Sequence, residues 1–242
     1  MIKTAMILAA GKGTRMQSAP SDPPKPLTDI AGQSLLMRML ARLEAAGIKR
    51  IIINLHHKAE QIEAALSAYD GACTITFSNE RDALLETGGG VKKALPLLGD
   101  APFLVANGDV LWHEENNANL ALTALLQNFD PSRMAALLLL SQQARASGYD
   151  GDGDFTINTD GGLTRANDTA KNPALIFAGV QVLTPALFAT LPDGAFSLNR
   201  AYDLAAAQDR LFGHILDGYW MHVGTPQGRA AAEAYLAADK IG

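Results

Sequence analysis

The chain has 242 residues, of which 48% are hydrophobic and 19% charged, and a formal net charge of −5. That length suits one large α/β domain or two small ones and can bury a full core, while the acidic balance argues against general nucleic-acid binding, which needs a basic face. One cysteine, Cys73, excludes an internal disulfide, and the sequence reads as having no signal segment and no apolar run of transmembrane length, so a cytoplasmic protein without a membrane partner is expected.

Residues 4–9, Thr-Ala-Met-Ile-Leu-Ala, form an apolar run that predicts a buried strand. At Ala10-Gly11 a glycine-rich loop begins. Gly11 and Gly13 are expected to take positive φ and bring the backbone close to a ligand. N–H groups converging in such a loop can hold phosphate oxygens. Lys12, Arg15 and Lys25 concentrate positive charge in an acidic chain, and Pro24 and Pro26 fix the backbone on both sides of Lys25. A triphosphate suits this loop. A dinucleotide fingerprint would need glycine where Met16 stands, and the Walker spacing is absent. Ser34 caps an amphipathic helix that stops at Gly47. Residues 50–55 read as a strand buried on both faces, 58–69 as a helix and 74–78 as a strand. The alternation predicts a doubly wound, mostly parallel, Rossmann-like α/β sheet with ligands at the carboxyl ends of its strands. His56 and His57 follow Asn54 at one such end; adjacent on an extended segment, they point opposite ways and read as loop polarity rather than a metal pair.

Gly88, Gly89 and Gly90 open the next helix, which is costly unless something approaches closely there; Thr87 reads as its cap. Strand 102–106 ends in Asn107-Gly108-Asp109, a carboxylate well placed for Mg²⁺. A helix over 116–129 and a buried strand over 133–140 follow. The glycine- and aspartate-rich stretch 147–155 resembles part of a calcium loop, but its glycine is misplaced and the closing glutamate is missing. Residues 158–162 read as a hairpin turn. Strand 174–183 carries Gly179 in its middle, which suggests a bulge or a close ligand. A short helix at Pro185, a helix over 198–208, a strand over 211–216 and a last helix capped by Thr225 with Pro226 at its first turn complete the chain.

Leu-Ala-Ala-Gly-Lys-Gly-Thr-Arg-Met at 8–16, followed by Pro-Lys-Pro-Leu at 24–27, resembles the paired signature of the sugar-phosphate nucleotidyltransferases. Likeness to that family runs almost from end to end. It implies a single domain over 1–242, with a nucleotide-binding half over 1–110 and a sugar-binding half containing a β-hairpin over 111–242. The substrates implied are a nucleoside triphosphate and a sugar 1-phosphate, and the chain is expected to be a monomer or small homo-oligomer. The resemblance assigns catalysis to Arg15, Lys25 and Asp109. It assigns nucleotide binding to Leu8, Ala10, Gly11, Lys12, Gly13, Thr14, Thr87, Gly88 and Asn107, and sugar binding to Asn54, Glu86, Gly153, Asp154, Asn167, Gly179 and Trp220.

Leu-Glu-Thr-Gly-Gly-Gly at 85–90 and Lys-Ala-Leu-Pro-Leu-Leu-Gly at 93–99 are closer to a uridylyltransferase branch than to the family at large. That branch implies transfer from UTP to N-acetylmuramate α-1-phosphate in cell-wall recycling. The family usually has Trp-x-Asp-x-Gly-Thr where this chain has Trp220-Met221-His222-Val223-Gly224-Thr225, so the second metal position falls on His222 beside Asp109. Imidazole suits Mn²⁺ or Zn²⁺ better than Mg²⁺, which prefers oxygen. Mg²⁺ on Asp109 with His222 on a phosphate is one reading; a softer metal, or nucleotide binding with little turnover, are others. A guanylyltransferase for mannose 1-phosphate and a nucleotide-binding regulatory module are the competing functions.

Overall fold

The computed structural model describes residues 1–11, 22–114, 120–166 and 174–239. In chain order its regular elements begin with β1 (Thr4–Leu8), β2 (Asp29–Ile30), β3 (Gln33–Ser34), α1 (Leu35–Ala45), β4 (Arg50–Leu55), α2 (Ala59–Leu66), β5 (Thr74–Asn79), α3 (Glu86–Leu98), β6 (Phe103–Asn107) and β7 (Val110–His113). They continue with α4 (Leu120–Asn128), β8 (Ala136–Ser141), β9 (Ala146–Ser147), β10 (Phe155–Ile157), β11 (Leu163–Arg165), β12 (Ile176–Leu183), α5 (Asn199–Ala207), β13 (Leu211–Ile215), β14 (Tyr219–His222) and α6 (Pro226–Asp239).

A seven-stranded sheet runs in the order β13-β8-β12-β6-β1-β4-β5. Every neighbouring pair is parallel except those of β12, which is antiparallel to both β6 and β8. The strands near its centre are buried on both faces, so Met6, Ile52, Phe103 and Val105 face one core while Ala5, Ile7, Ile51 and Ile53 face the other. That is why these segments read as near-continuous apolar runs. On one face, α1 buries Leu36, Met39, Leu40 and Leu43, a helical spacing. The Ser34 hydroxyl caps it by accepting from the Met37 N–H at 3.3 Å. The other face is covered in part by α3 and α5.

The order places β1, β4 and β6 side by side, so their carboxyl ends at Leu8, Leu55 and Asn107 open on one crevice. Strands from the second half of the chain, β8, β12 and β13, extend the same sheet, so the two expected halves share one framework. The expected hairpin forms between β10 and β11. Strands β7, β14 and β9 form a separate three-stranded sheet that the sequence pattern does not announce. It matters for the site, because β7 starts one residue after Asp109 and β14 pairs His222 with Val110. No described helix is long and apolar enough to cross a membrane.

Cys73 is 7% exposed and its thiol donates to the Ile48 carbonyl at 3.1 Å. Burial pushes the thiol above its ordinary range, which depletes the reactive thiolate. The native protein is therefore expected to resist a thiol-specific dye at neutral pH and to react with one equivalent once unfolded in guanidinium. Rapid labelling of the native protein would contradict this placement.

Candidate active site

The crevice is a cleft of about 340 Å³. Leu8, Ala9, Ala10 and Gly11 form one wall at the end of β1, while Leu84, Glu86 and Thr87 form another at the start of α3. Asn54, Asn107, Asp109, Lys25, Pro26 and Gly224 complete its lining.

Lys25 reaches this cleft through a short 3₁₀ turn over Lys25–Leu27, entered through Pro24 at φ −60° and ψ 146°. The turn is closed by Leu27 N–H to the Pro24 carbonyl at 2.8 Å and Thr28 N–H to the Lys25 carbonyl at 3.0 Å. The Lys25 ammonium forms an ion pair with the Asp109 carboxylate. Gly108 makes this meeting possible. Its N–H donates to the Leu8 carbonyl at 2.9 Å. A Cβ there would lie 2.9 Å from that carbonyl oxygen and 3.2 Å from Pro26 Cγ, so only glycine lets the proline ring dock beside the strand end. A cation and a carboxylate are thereby held together beside a backbone that leads into the glycine-rich loop.

The α3 wall has its own construction. Glu86 opens the helix at φ 58°, a left-handed conformation that non-glycine residues seldom adopt. Both Glu86 and Thr87 are exposed to the cleft. Thr87 lies inside the helix rather than at its cap, and its hydroxyl accepts from the Leu198 N–H at 2.9 Å. The same hydroxyl carries a proton it can donate into the cleft. The Phe196 carbonyl caps the helix, accepting from Gly88 N–H at 2.8 Å and Gly89 N–H at 3.1 Å.

The glycine run is therefore explained from within the chain. A Cβ on Gly88 would lie 2.4 Å from the Phe196 ring, on Gly89 2.0 Å from the Gly194 carbonyl oxygen, and on Gly90 2.7 Å from Glu80 Oε1. Gly11 departs from expectation in a different way: it does not take positive φ. A Cβ there would meet no described atom within 4 Å.

Of the expected site residues, Leu8, Ala10, Gly11, Lys25, Asn54, Glu86, Thr87, Asn107 and Asp109 line this one cleft. Lys12, Gly13, Thr14, Arg15 and Asn167 lie outside the described residues. Six expected site residues do not line the cleft. Gly88 is buried under Phe196. Gly179, at φ 82°, forms a bulge in β12, and what approaches it is Val110, whose Cγ1 would lie 2.3 Å from a Cβ. Gly153, at φ 97°, packs against Ala174, and the Asp154 carboxylate accepts from the Phe177 N–H at 2.8 Å, which ties the hairpin to β12. Trp220 is 5% exposed, and its indole N–H donates to the Ala178 carbonyl at 3.2 Å.

His222 shares a strand face with Trp220, two residues away, and its ring stacks on the indole at 5.9 Å. Its Nδ1 lies 2.9 Å from the Gly148 carbonyl, which can only accept, so Nδ1 carries the proton. The expected second metal ligand thus lies outside the cleft lining, with its ring edge close to Gly224, which does line the cleft.

Among the described residues no group of three or more His, Cys, Asp or Glu side chains could hold a metal. Asp109 is nevertheless a hard oxygen donor, 30% exposed at the cleft. It fits Mg²⁺, which is commonly held by one or two carboxylates plus substrate phosphates and water. Glu80 and Phe196 shape the site without a motif that announces them. Only the closeness of each to a glycine or helix end, visible in three dimensions, gives them away.

A family description, "MobA-like NTP transferase domain", matches residues 5–202. The chain is 42% identical over 238 residues to N-acetylmuramate alpha-1-phosphate uridylyltransferase of Caulobacter vibrioides, covering 97% of each chain. It is 38% identical over 242 residues to the protein of the same name in Neisseria meningitidis, covering 98% of this chain and 99% of that one. In structure it resembles a UTP-bound UGPase of Acinetobacter baumannii at a TM-score of 0.76 and 18% identity, over 98% of this chain and 93% of that one, a likeness of fold alone.

Proposed function

We propose, from the premise that the chain belongs to the MobA-like NTP transferase family, that it transfers the uridylyl group of UTP to N-acetylmuramate α-1-phosphate and releases pyrophosphate. The observation that carries this reading is the full-length identity to two uridylyltransferases of that sugar phosphate. The Lys25–Asp109 pair facing the backbone of Ala10 and Gly11 in one cleft supports it.

A phosphate oxygen of the sugar attacks the α-phosphorus in line, the bond between the α-phosphorus and the bridging oxygen breaks, and pyrophosphate leaves with the electron pair. The attacking phosphate is already ionised, so no general base is needed. Two anions must meet, and placing and neutralising charge is most of the work. Lys25 stabilises charge developing at the α-phosphate. Gly11 and the loop after it, with Arg15, hold the leaving pyrophosphate. Thr87 faces the pyrimidine edge. Asp109 would hold Mg²⁺, which supplies neutralising positive charge between the phosphates when bound. Glu86 faces the cleft where the sugar phosphate must enter, and Asn107 lines it on the nucleotide side.

The test is pyrophosphate release by purified protein. UTP, GTP, CTP and dTTP are crossed against the 1-phosphates of N-acetylmuramate, glucose, mannose and N-acetylglucosamine, with Mg²⁺ and then Mn²⁺. Turnover confined to UTP with N-acetylmuramate 1-phosphate is expected. Turnover with another pair would move the substrate, and UTP binding without turnover on any pair would overturn the enzymatic reading.

A further inference from the structure

Glu80 is a fully buried carboxyl group that the proposed chemistry does not use. It lies one residue beyond β5, in the polar run Ser-Asn-Glu-Arg-Asp at 78–82. Its two oxygens face two donors. Oε1 accepts from Asn54 Nδ2 at 2.8 Å, and Oε2 accepts from the Leu85 N–H at 3.4 Å. Asn54 is itself 2% exposed, and its Oδ1 accepts from the Ala9 N–H at 2.7 Å. Ala9 belongs to the cleft wall that leads into the phosphate-binding loop, and Leu85 immediately precedes Glu86 and Thr87 in the opposite wall. One chain of hydrogen bonds, Ala9 to Asn54 to Glu80 to Leu85, therefore spans the cleft from beneath.

The packing is fitted to this chain. Gly90 is the α3 residue against which the pair lies, since a Cβ there would come within 2.7 Å of Glu80 Oε1 and 3.0 Å of Asn54 Nδ2. The Glu80 backbone is pinned as well, its N–H donating to the Leu55 carbonyl at 2.7 Å and its carbonyl lying 2.8 Å from His56 Nδ1. Burial pushes the carboxyl above its ordinary range, and the Asn54 and Leu85 hydrogen bonds oppose that push. A fully buried carboxyl whose hydrogen bonds only partly oppose its desolvation calls for a positional reason.

We infer that Glu80 is a positioning residue that fixes the spacing between the phosphate-binding wall and the base-facing start of α3, and through Thr87 sets the preference among pyrimidine bases. This rests on the nucleotidyl-transfer reading of the cleft. The donor pattern makes glutamine a poor substitute. The amide of Glu80→Gln must turn its NH₂ toward either Asn54 Nδ2 or the Leu85 N–H, donor against donor, and one of the two bonds is lost. Asn54→Asp alone sets two carboxyl groups face to face. Combined, the two substitutions restore every bond with the charge moved from position 80 to position 54. The new carboxylate at 54 accepts from Ala9 and from the new amide at 80, whose oxygen accepts from Leu85.

The readout is the ratio of kcat/KM for UTP to that for CTP, alongside KM for the sugar phosphate and the unfolding temperature. Both nucleotides carry the same triphosphate, so moving a charge affects them alike and the ratio reports the base side alone. Glu80→Gln is expected to lower the ratio about tenfold, chiefly through KM for the nucleotide, as loss of one buried hydrogen bond does, with KM for the sugar phosphate little changed. The double variant is expected to recover it to within about threefold, the signature of a coupled pair. An unchanged ratio in Glu80→Gln, even with lower thermal stability, would overturn the inference, as would a double variant no better than the single one. Should Glu80→Gln not fold, the ratio in the double variant decides alone. Should the wild-type protein turn over no substrate pair, the functional reading fails by itself. The dissociation constants of UTP and CTP, measured by calorimetry on the same variants, then test the brace.

Discussion

Lys25→Ala is expected to lower kcat on the order of 10²–10³-fold, the cost of removing one preorganised charge from a phosphoryl-type transition state. The folded protein should tolerate the change. The Lys25 and Asp109 side chains are 14% and 30% exposed, so water can reach the carboxylate left behind. The loss belongs to chemistry rather than to folding, which a thermal melt run beside the kinetics will separate. Asp109→Asn should also reduce turnover, but with a different signature. Its deficit should shrink as the divalent cation concentration rises, because the lost group is the proposed metal anchor, whereas that of Lys25→Ala should not. Because the two side chains pair directly, a double-mutant cycle should be strongly non-additive, the second substitution costing far less than the first. Near-normal turnover in Lys25→Ala would remove that lysine from the mechanism. Equal rescue of both variants by metal would assign them one shared role.

How much of this was legible in the sequence depends on the range of the interactions involved. Strands β1, β4 and β6 are apolar on both faces, so their runs announce them and the parallel arrangement together. Two of the three caps were legible for the same reason, Thr87 being the exception, one residue inside α3. Ser34 caps α1, and Thr225 caps α6 by accepting from the Gly228 N–H at 3.1 Å, each within one turn. The cleft followed from these, since Gly11 and Asp109 stand just past adjacent strand ends.

Long-range pairings were not legible. β12 reads as a strand, but nothing local sets it antiparallel between β6 and β8. β7 and β14 find each other across more than a hundred residues of chain, so the small sheet they form could not be anticipated, and neither could the fate of His222 on its Trp220 face. Trp220 and Gly179 fit an expected sugar wall by motif, yet one fills the core and the other makes room for Val110. Glu80 was hidden by its neighbours: in a polar run between Asn79 and Arg81, burial is the opposite of what composition suggests.

The second large effect is expected at Gly89, and its sign runs against helix propensity. Inside a helix, glycine to alanine normally stabilises by about 1 kcal/mol. Here the new Cβ would lie 2.0 Å from the Gly194 carbonyl oxygen, a backbone atom that cannot swing aside as a side chain can. Gly194 is itself at φ 87°, and the next residues carry the Phe196 carbonyl that caps α3 and the Leu198 N–H that holds Thr87. Gly89→Ala must push this segment off the helix start. Overpacking of this kind costs roughly 1–3 kcal/mol, and for a chain of this size an unfolding temperature several degrees lower is expected. The displaced segment carries the Leu198–Thr87 bond with it, so KM for the nucleotide should rise as well.

Gly11→Ala is the matched contrast. It meets no described atom within 4 Å and has no left-handed φ to violate, so its stability should change by no more than about 0.5 kcal/mol. Nucleotide affinity should nevertheless fall, because the methyl group projects where phosphate is proposed to lie. Denaturant unfolding and nucleotide titration of the two variants thus test opposite halves of one idea: glycine at 89 makes room for the chain itself, and glycine at 11 makes room for the ligand. If Gly89→Ala were as stable as the parent, the close approach of the 194–196 segment to α3 would be wrong. The glycine run would then call for a ligand that approaches the start of the helix closely.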